Sequence, residues 1–216
     1  MVLEYCDITP NPARDRTKVK LPRQEAPELD PPTAEHVEAV ARLLPTAYRL
    51  ALLALDATGA RVNELALARA GDLDEAQQRW LIRASIAKTR RPRWAPLPDV
   101  LWQPLIASLP PRDDRDPEQL LFGITDAQLR MAITRACRAA AVPSFSPHDL
   151  RRRRISLLHK TGMSWAEIGD LVGQRSRIVT ADTYTFALLD YREVAYAELL
   201  NVPASARSAH GVPTPV

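Results

Sequence analysis

Proline decides where this chain can be regular. It lacks an N–H and its ring fixes φ, so it closes helices and is kept out of central strands. The sequence has 19 prolines in 216 residues, near twice the average usage of about 5%, and they crowd at the ends. Residues 1–32 hold Pro10, Pro12, Pro22, Pro27, Pro31 and Pro32 among mixed charges, with no helical stripe. That segment reads as a linker or arm. Residues 201–216 are rich in Pro, Ala and Ser and read as a disordered tail. Residues 33–200 are left to form the folded domain. A chain of this length buries roughly 70% of the surface that its unfolded form exposes, so it needs no disulfide or metal staple.

Composition narrows the class. The 46% hydrophobic and 25% charged content is that of a soluble globular protein. Cys6 and Cys137 lie far apart with no CxxC or Cys/His cluster, which argues against a disulfide scaffold and a zinc site. The apolar stretch from Leu50 to Leu55 stops at Asp56, far short of the roughly 20 residues of a membrane span. Acidic and proline residues stand where a signal peptide needs an apolar run. A reduced, cytoplasmic, soluble protein without membrane contact is expected.

The formal charge is only +3, but its distribution is uneven. Arg83, Lys88, Arg90, Arg91 and Arg93 follow one another without an acid. Arg130, Arg135, Arg138 and the run Arg151, Arg152, Arg153, Arg154 are opposed only by Asp149 over residues 130–154. One basic run is ordinarily a solvated face; two acid-free clusters point to a polyanion.

The periodicity is mostly helical. Thr33 is a good N-cap, followed by Val37, Val40, Ala41 and Leu44 at one-face spacing. A second helix runs from Ala47 to Thr58 and stops at Gly59; Asn63 to Arg69 reads as a short third. Residues 80–84 and 94–97 then read as two short strands joined by the basic turn Lys88 to Arg93. Helices follow from Asp126 to Ala140, from Pro147 to Gly162, from the capping box Ser164 to Glu167 as far as Gly173, and from Tyr191 to Leu200. The fold class is mainly α with a small antiparallel β-hairpin or sheet (α+β). No glycine-rich nucleotide loop is present.

Singly, the polar candidates have bland explanations. Arg61 after a helix stop is a surface ion-pair partner, Lys88 an edge-strand charge, His148 a structural histidine, and Tyr184 a packing residue with a tethered hydroxyl. Together they describe something else. Two arginines, a histidine and a lysine that converge make a site for a phosphate whose charge grows during reaction, because guanidinium donors match phosphate oxygens in pairs. Such a site works by positioning and electrostatics, without a metal, and a nearby tyrosine supplies a nucleophile.

The motifs themselves resemble a known family. ATGARVNELALARAGDLD (residues 57–74), AKTRRPRWAPLP (87–98), SPHDLRRRRISLLHKTG (146–162) and WAEIGDLVGQRSRIVTADTYTFA (165–187) resemble, in order and spacing, the first box, lysine hairpin, second box and nucleophile segment of the tyrosine recombinases (phage integrase family). The resemblance spans residues 33–200, a whole catalytic domain. It implies that Arg61 and Arg151 grip the scissile phosphate, that Lys88 protonates the departing 5′ oxygen, and that His148 takes the proton of the attacking Tyr184. Gln174 stands where the family usually has His or Trp; it can donate a hydrogen bond but cannot carry charge. Glu64, one turn after Arg61, is placed to orient it. Arg90, Arg91, Arg93, Arg152 and Arg175 are candidates for DNA contact.

The implied activity is DNA strand cleavage and rejoining through a 3′-phosphotyrosyl link in site-specific recombination, integrating or excising a mobile element. It implies double-stranded DNA as partner, no cofactor, and a homotetramer on DNA with a monomer possible in isolation. The segment from Leu188 to Leu200, with Leu189, Val194, Tyr196 and Leu199, is either a helix for docking onto a neighbouring protomer or ordinary core. The family also implies a helical DNA clamp ahead of this domain. The residues before Thr33 read as the linker following such a clamp, which leaves open a catalytic fragment of a longer chain or a short family member. In either case DNA binding is expected to be weak and strongly salt-dependent. The alternatives are a non-catalytic DNA-binding module derived from a recombinase and, more remotely, a helical interaction domain.

Overall fold

The computed structural model describes residues 30–174 and 192–200. Its axis is a helix that sequence pattern alone marks as interior. Helix α2 (Thr46–Thr58) is apolar on all sides from Leu50 to Leu55, and Leu50 through Thr58, Asp56 included, are all buried, as expected of a helix enclosed by others. It ends on Gly59 in the left-handed region (φ 62°, ψ 19°), with the Gly59 N–H donating to Leu55 O at 2.9 Å.

Around this axis pack α1 (Ala34–Leu43), α4 (Asp99–Ala107), α5 (Asp126–Ala139) and α6 (Pro147–Lys160). Three of these four starts, those of α1, α5 and α6, have a side-chain cap. Thr33 Oγ1 accepts from His36 N at 3.2 Å, and Thr125 Oγ1 accepts from Gln128 N at 3.2 Å. Ser146 Oγ accepts from His148 N at 3.2 Å, with Pro147 in the first turn. Two short elements complete the helical part. α3 (Val62–Ala66) follows the Gly59 turn, and α7 (Trp165–Val172) opens on the Ser164–Glu167 box and closes on Gly173 at φ 69°. Ile155 and Leu158 of α6 pack on Ile168 and Val172 of α7 as a separate small core.

The sheet has three antiparallel strands in the order β1 (Leu73–Asp74), β2 (Arg79–Ile82), β3 (Arg93–Pro96), one more than the hairpin expected. The register pairs Trp80 with Ala95 and Ile82 with Arg93. Side chains alternate along a strand, so Trp80, Ile82, Ala95 and Arg93 share the face turned to the core. Arg79 and Trp94 lie on the other face, where the guanidinium stacks 4.2 Å from the indole centroid.

Three further features depart from the sequence reading. The short third helix ends at Ala66, and Ala70–Asp72 forms a 3-10 turn instead. Helix α4 was not expected; its apolar run carries an internal Pro104 but buries Leu101, Trp102 and Leu105 on one face. The last helix, expected from Tyr191, is only α8 (Tyr196–Leu199): residues 192–195 are not helical, and Tyr191 itself lies outside the described residues.

Between the two readings of the C-terminal segment, the described part is core of its own chain. Val194, Tyr196 and Leu199 are buried, and Glu38 of α1 accepts from Arg192 at 2.6 Å and from the Ala195 N–H at 3.1 Å. Leu189 lies outside the described residues. Among the described residues, no helix is long and apolar enough to cross a membrane.

Candidate active site

The site gathers where the turn after α2, the start of α6 and the end of α7 meet. The left-handed Gly59 turn leads directly into Arg61, which precedes α3. Glu64 sits in the first turn of α3 and is 1% exposed. Its Oε1 accepts from Arg61 Nη1 at 3.1 Å and its Oε2 from the Arg61 N–H at 2.9 Å, the orienting contact that the spacing predicts. Arg61 Nη2 also donates to Gly173 O at 3.3 Å, so the arginine is held from two sides while 26% of its side chain stays exposed.

Arg151, in the second turn of α6, is 2% exposed and donates from Nη1 to Gly59 O at 2.6 Å. The same turn that positions Arg61 therefore holds Arg151. Glycine matters at that turn chiefly for its left-handed φ; a Cβ on Gly59 would also be tight against Val172 Cγ1 at 3.3 Å, while Arg154 Cβ at 3.5 Å would be in ordinary contact.

His148, in the first turn of α6, is exposed at its residue surface, yet partial desolvation lowers its imidazole pKa. Asp149 opposes that shift; the charges of Arg151, Arg152 and Arg61 reinforce it. His148 thus lies within the field of both site arginines and is biased toward the neutral form. Gln174 follows the α7 stop and donates its N–H to Gly169 O at 2.7 Å. Its amide oxygen is buried without a hydrogen-bond partner among the described residues.

Glu64 titrates low. Burial pushes its carboxyl up, but the hydrogen bonds and charge of Arg93, the Arg61 N–H and the Arg61 charge outweigh it. The carboxylate is thus ionised at neutral pH. One carboxylate between two guanidinium groups leaves the cluster with an excess positive charge, as an anion site requires.

The structure thus brings together Arg61, His148, Arg151 and Gln174. Lys88 stands apart, exposed on the loop between β2 and β3 with Arg90 and Arg91. Tyr184 and Arg175 lie outside the described residues. Two of the arginines considered for DNA contact are turned toward protein. Arg93 is only 9% exposed and bonded to Glu64, and 13% of the Arg152 side chain is exposed, with Asp149 at 3.8 Å. Several charges in both basic clusters are internally matched. Arg83 pairs with Asp72 at 2.9 Å, Arg153 with Asp56 at 2.9 Å and Arg154 with Glu193 at 2.7 Å. Sequence reasoning missed these pairs because it counted charge along the chain. For Arg93 a signal existed: it precedes Ala95 and Leu97 at alternate positions, the inward set of β3 and its extension.

The sequence matches the phage integrase family over residues 33–188. The chain belongs to that family. No curated protein matches closely enough to stand as a relative, but solved structures share the fold. XerA recombinase superposes with a TM-score of 0.58 at 17% identity, over 86% of this chain and 67% of that one. The Tn1549 transposon integrase in complex with circular intermediate DNA gives 0.62 at 18%, over 89% and 75%. A lambda integrase dimer bound to a COC′ core site gives 0.56 at 16%, over 89% and 71%. The mostly helical domain with its small three-stranded antiparallel sheet is the catalytic-domain fold of the tyrosine recombinases.

Proposed function

We propose that this integrase-family domain cleaves and rejoins DNA strands in site-specific recombination, with Arg61, Lys88, His148, Arg151, Gln174 and Tyr184 as its working residues. The observation that carries the reading is the convergence of Arg61 and Arg151 on one glycine turn, beside a neutral-biased His148. In the proposed step the Tyr184 oxygen attacks phosphorus while its proton passes to His148. The P–O5′ bond breaks, and its electron pair leaves with O5′, which takes a proton from Lys88. One phosphodiester is exchanged for another, so rejoining by the 5′-hydroxyl is the same step reversed and consumes no nucleotide. Arg61 and Arg151 hold the non-bridging oxygens, whose charge rises in the transition state; Gln174 donates a neutral hydrogen bond there.

Double-stranded DNA is the proposed partner, with four protomers assembled on two duplexes and a mobile element's integration or excision as the task. Gln174, which cannot carry the charge of a histidine, favours a second reading: a DNA-binding module without catalysis. Trapping separates the two. Nicked duplexes with randomised flanks are mixed at low salt with wild type or Tyr184→Phe and run on a denaturing gel. A covalent adduct with wild type alone is expected. DNA binding without adduct from either protein supports the second reading.

The pH profile gives an independent check. Because the folded His148 pKa lies below the ordinary imidazole value, the residue is neutral at pH 7 and able to accept a proton. It loses that capacity only as pH falls through the depressed pKa. For cleavage, kcat/KM should therefore fall toward acid with a midpoint below about 6.5, the unperturbed imidazole value. A midpoint at or above that value would remove His148 from the role of base.

A further inference from the structure

We infer that Arg93 is a positioning residue that locks the lysine hairpin, Arg61 and the end of α7 into one arrangement, and that it does not contact DNA. The inference rests on the strand-transfer reading of the site and adds a residue to it. Three observations carry it, and each places Arg93 at a junction between elements.

First, its guanidinium clamps Glu64 in two bonds, Nη1 to Oε1 at 3.1 Å and Nη2 to Oε2 at 2.6 Å. That carboxylate is the one that orients Arg61, so the two arginines share one anchor. Second, Arg93 Nε donates to Leu171 O at 3.1 Å. Helix C-termini leave carbonyls without intrahelical partners, and here an arginine from the sheet satisfies one. Third, Arg93 lies flat against Gly173. A Cβ there would meet its Nη1 at 2.6 Å, Cζ at 2.8 Å and Nε at 3.0 Å, so the approach exists only because residue 173 is glycine. Gly173 O in turn accepts from Arg61 Nη2.

These contacts close a ring: Arg93 to Glu64, Glu64 to Arg61, Arg61 to Gly173, and Gly173 back against Arg93. Its members come from β3, the turn before α3, α3 itself and the α7 stop. Lys88 precedes Arg93 on the same hairpin and Gln174 follows Gly173, so the ring sets two working residues and Arg61 in register. Nε, Nη1 and Nη2 are all engaged and the side chain is nearly buried, whereas an arginine that reads phosphate must turn its fork outward. Lysine cannot replace it, because a point donor cannot span two carboxylate oxygens and a carbonyl.

The test compares Arg93→Lys and Arg93→Gln in the 216-residue chain with wild type and with Arg112→Gln, a control that removes an exposed charge elsewhere. Three quantities are read: duplex affinity against salt, single-turnover adduct formation at saturating protein, and amide exchange over residues 61–66 and 169–174. Both Arg93 variants should bind within about twofold of wild type with an unchanged salt slope. Their rate of adduct formation per folded molecule should fall about 100-fold, the loss that an ångström of misplacement causes. Exchange should rise in both segments. Combining Arg93→Lys with Glu64→Gln should be no worse than the slower single variant, since both break the same ring.

A salt slope lowered by about one with weaker binding would make Arg93 a phosphate contact and overturn the inference. So would a rate per folded molecule equal to that of wild type. If wild type itself forms no adduct, the strand-transfer reading fails on its own, and exchange then judges the ring: protection at residues 169–174 unchanged in Arg93→Lys overturns it.

Discussion

Arg151→Lys is expected to slow strand cleavage by about 10²–10³-fold, the usual effect of removing one preorganised donor from a site that stabilises developing charge, while leaving the fold intact. The lysine ammonium can still reach toward Gly59 O, the partner of Arg151 Nη1 at 2.6 Å, so the α2–α6 contact has a substitute donor. It cannot also present a planar pair of N–H groups to two phosphate oxygens. The loss should appear in the single-turnover rate at saturating DNA, with binding changed by no more than a few fold, because one cation is exchanged for another. A loss below tenfold would mean that Arg151 serves only to tie α6 to the Gly59 turn. The phosphate grip would then rest on Arg61 alone.

What made Arg151 a candidate in the sequence was its place three residues after His148 in an ordered set of motifs. Its burial was not legible there. A run of four arginines reads as a cationic surface, yet Arg151 and Arg153 are buried at 2% and 0% exposure. The partner that admits Arg153, Asp56, lies 97 positions away in sequence, beyond any local pattern. The same holds for Arg93 and Glu64, 29 positions apart.

Helix boundaries fared better where a local cause sets them. Thr33, Ser164, Gly59 and Gly173 all cap or stop helices as the sequence indicates, because capping is a contact within one turn. Helix α4 escaped because Pro104 and a nearly unbroken apolar run mask its period. Strand β1 escaped because two residues carry no alternation; it exists through its pairing with Arg79 and Trp80.

The largest expected loss of stability falls on Asp56. Asp56→Ala should cost about 3–5 kcal/mol, the range for removing one partner of a buried ion pair, against a total of about 5–15 kcal/mol for a domain. Its carboxylate is 0% exposed and accepts from Arg153 Nη1 at 2.9 and 3.1 Å and from the Tyr196 hydroxyl at 2.8 Å. Burial and the Asp56 charge hold the Tyr196 pKa well above its ordinary value, so the phenol remains a donor. Without the carboxylate, Arg153 keeps its bond to Arg192 O but loses its counter-charge, and Tyr196 loses its acceptor. Urea unfolding reads the change, as a midpoint lowered by about 2 M for a slope near 2 kcal/mol per molar. Tyr196→Phe should cost about 1 kcal/mol, the worth of one hydrogen bond. The pair Asp56→Leu with Arg153→Met should recover part of the loss, because an apolar pair strands no charge, although the buried Tyr196 hydroxyl still lacks its acceptor. An Asp56→Ala loss under 1 kcal/mol would show that Arg153 escapes to water. The cluster joins α2, α6 and the C-terminal segment, so its failure would also free α6 to shift on α2. Arg151, two residues before Arg153, would then leave Gly59. A double variant that regains stability but cleaves slowly would show that the ion pair sets the α6 register on which the phosphate grip depends.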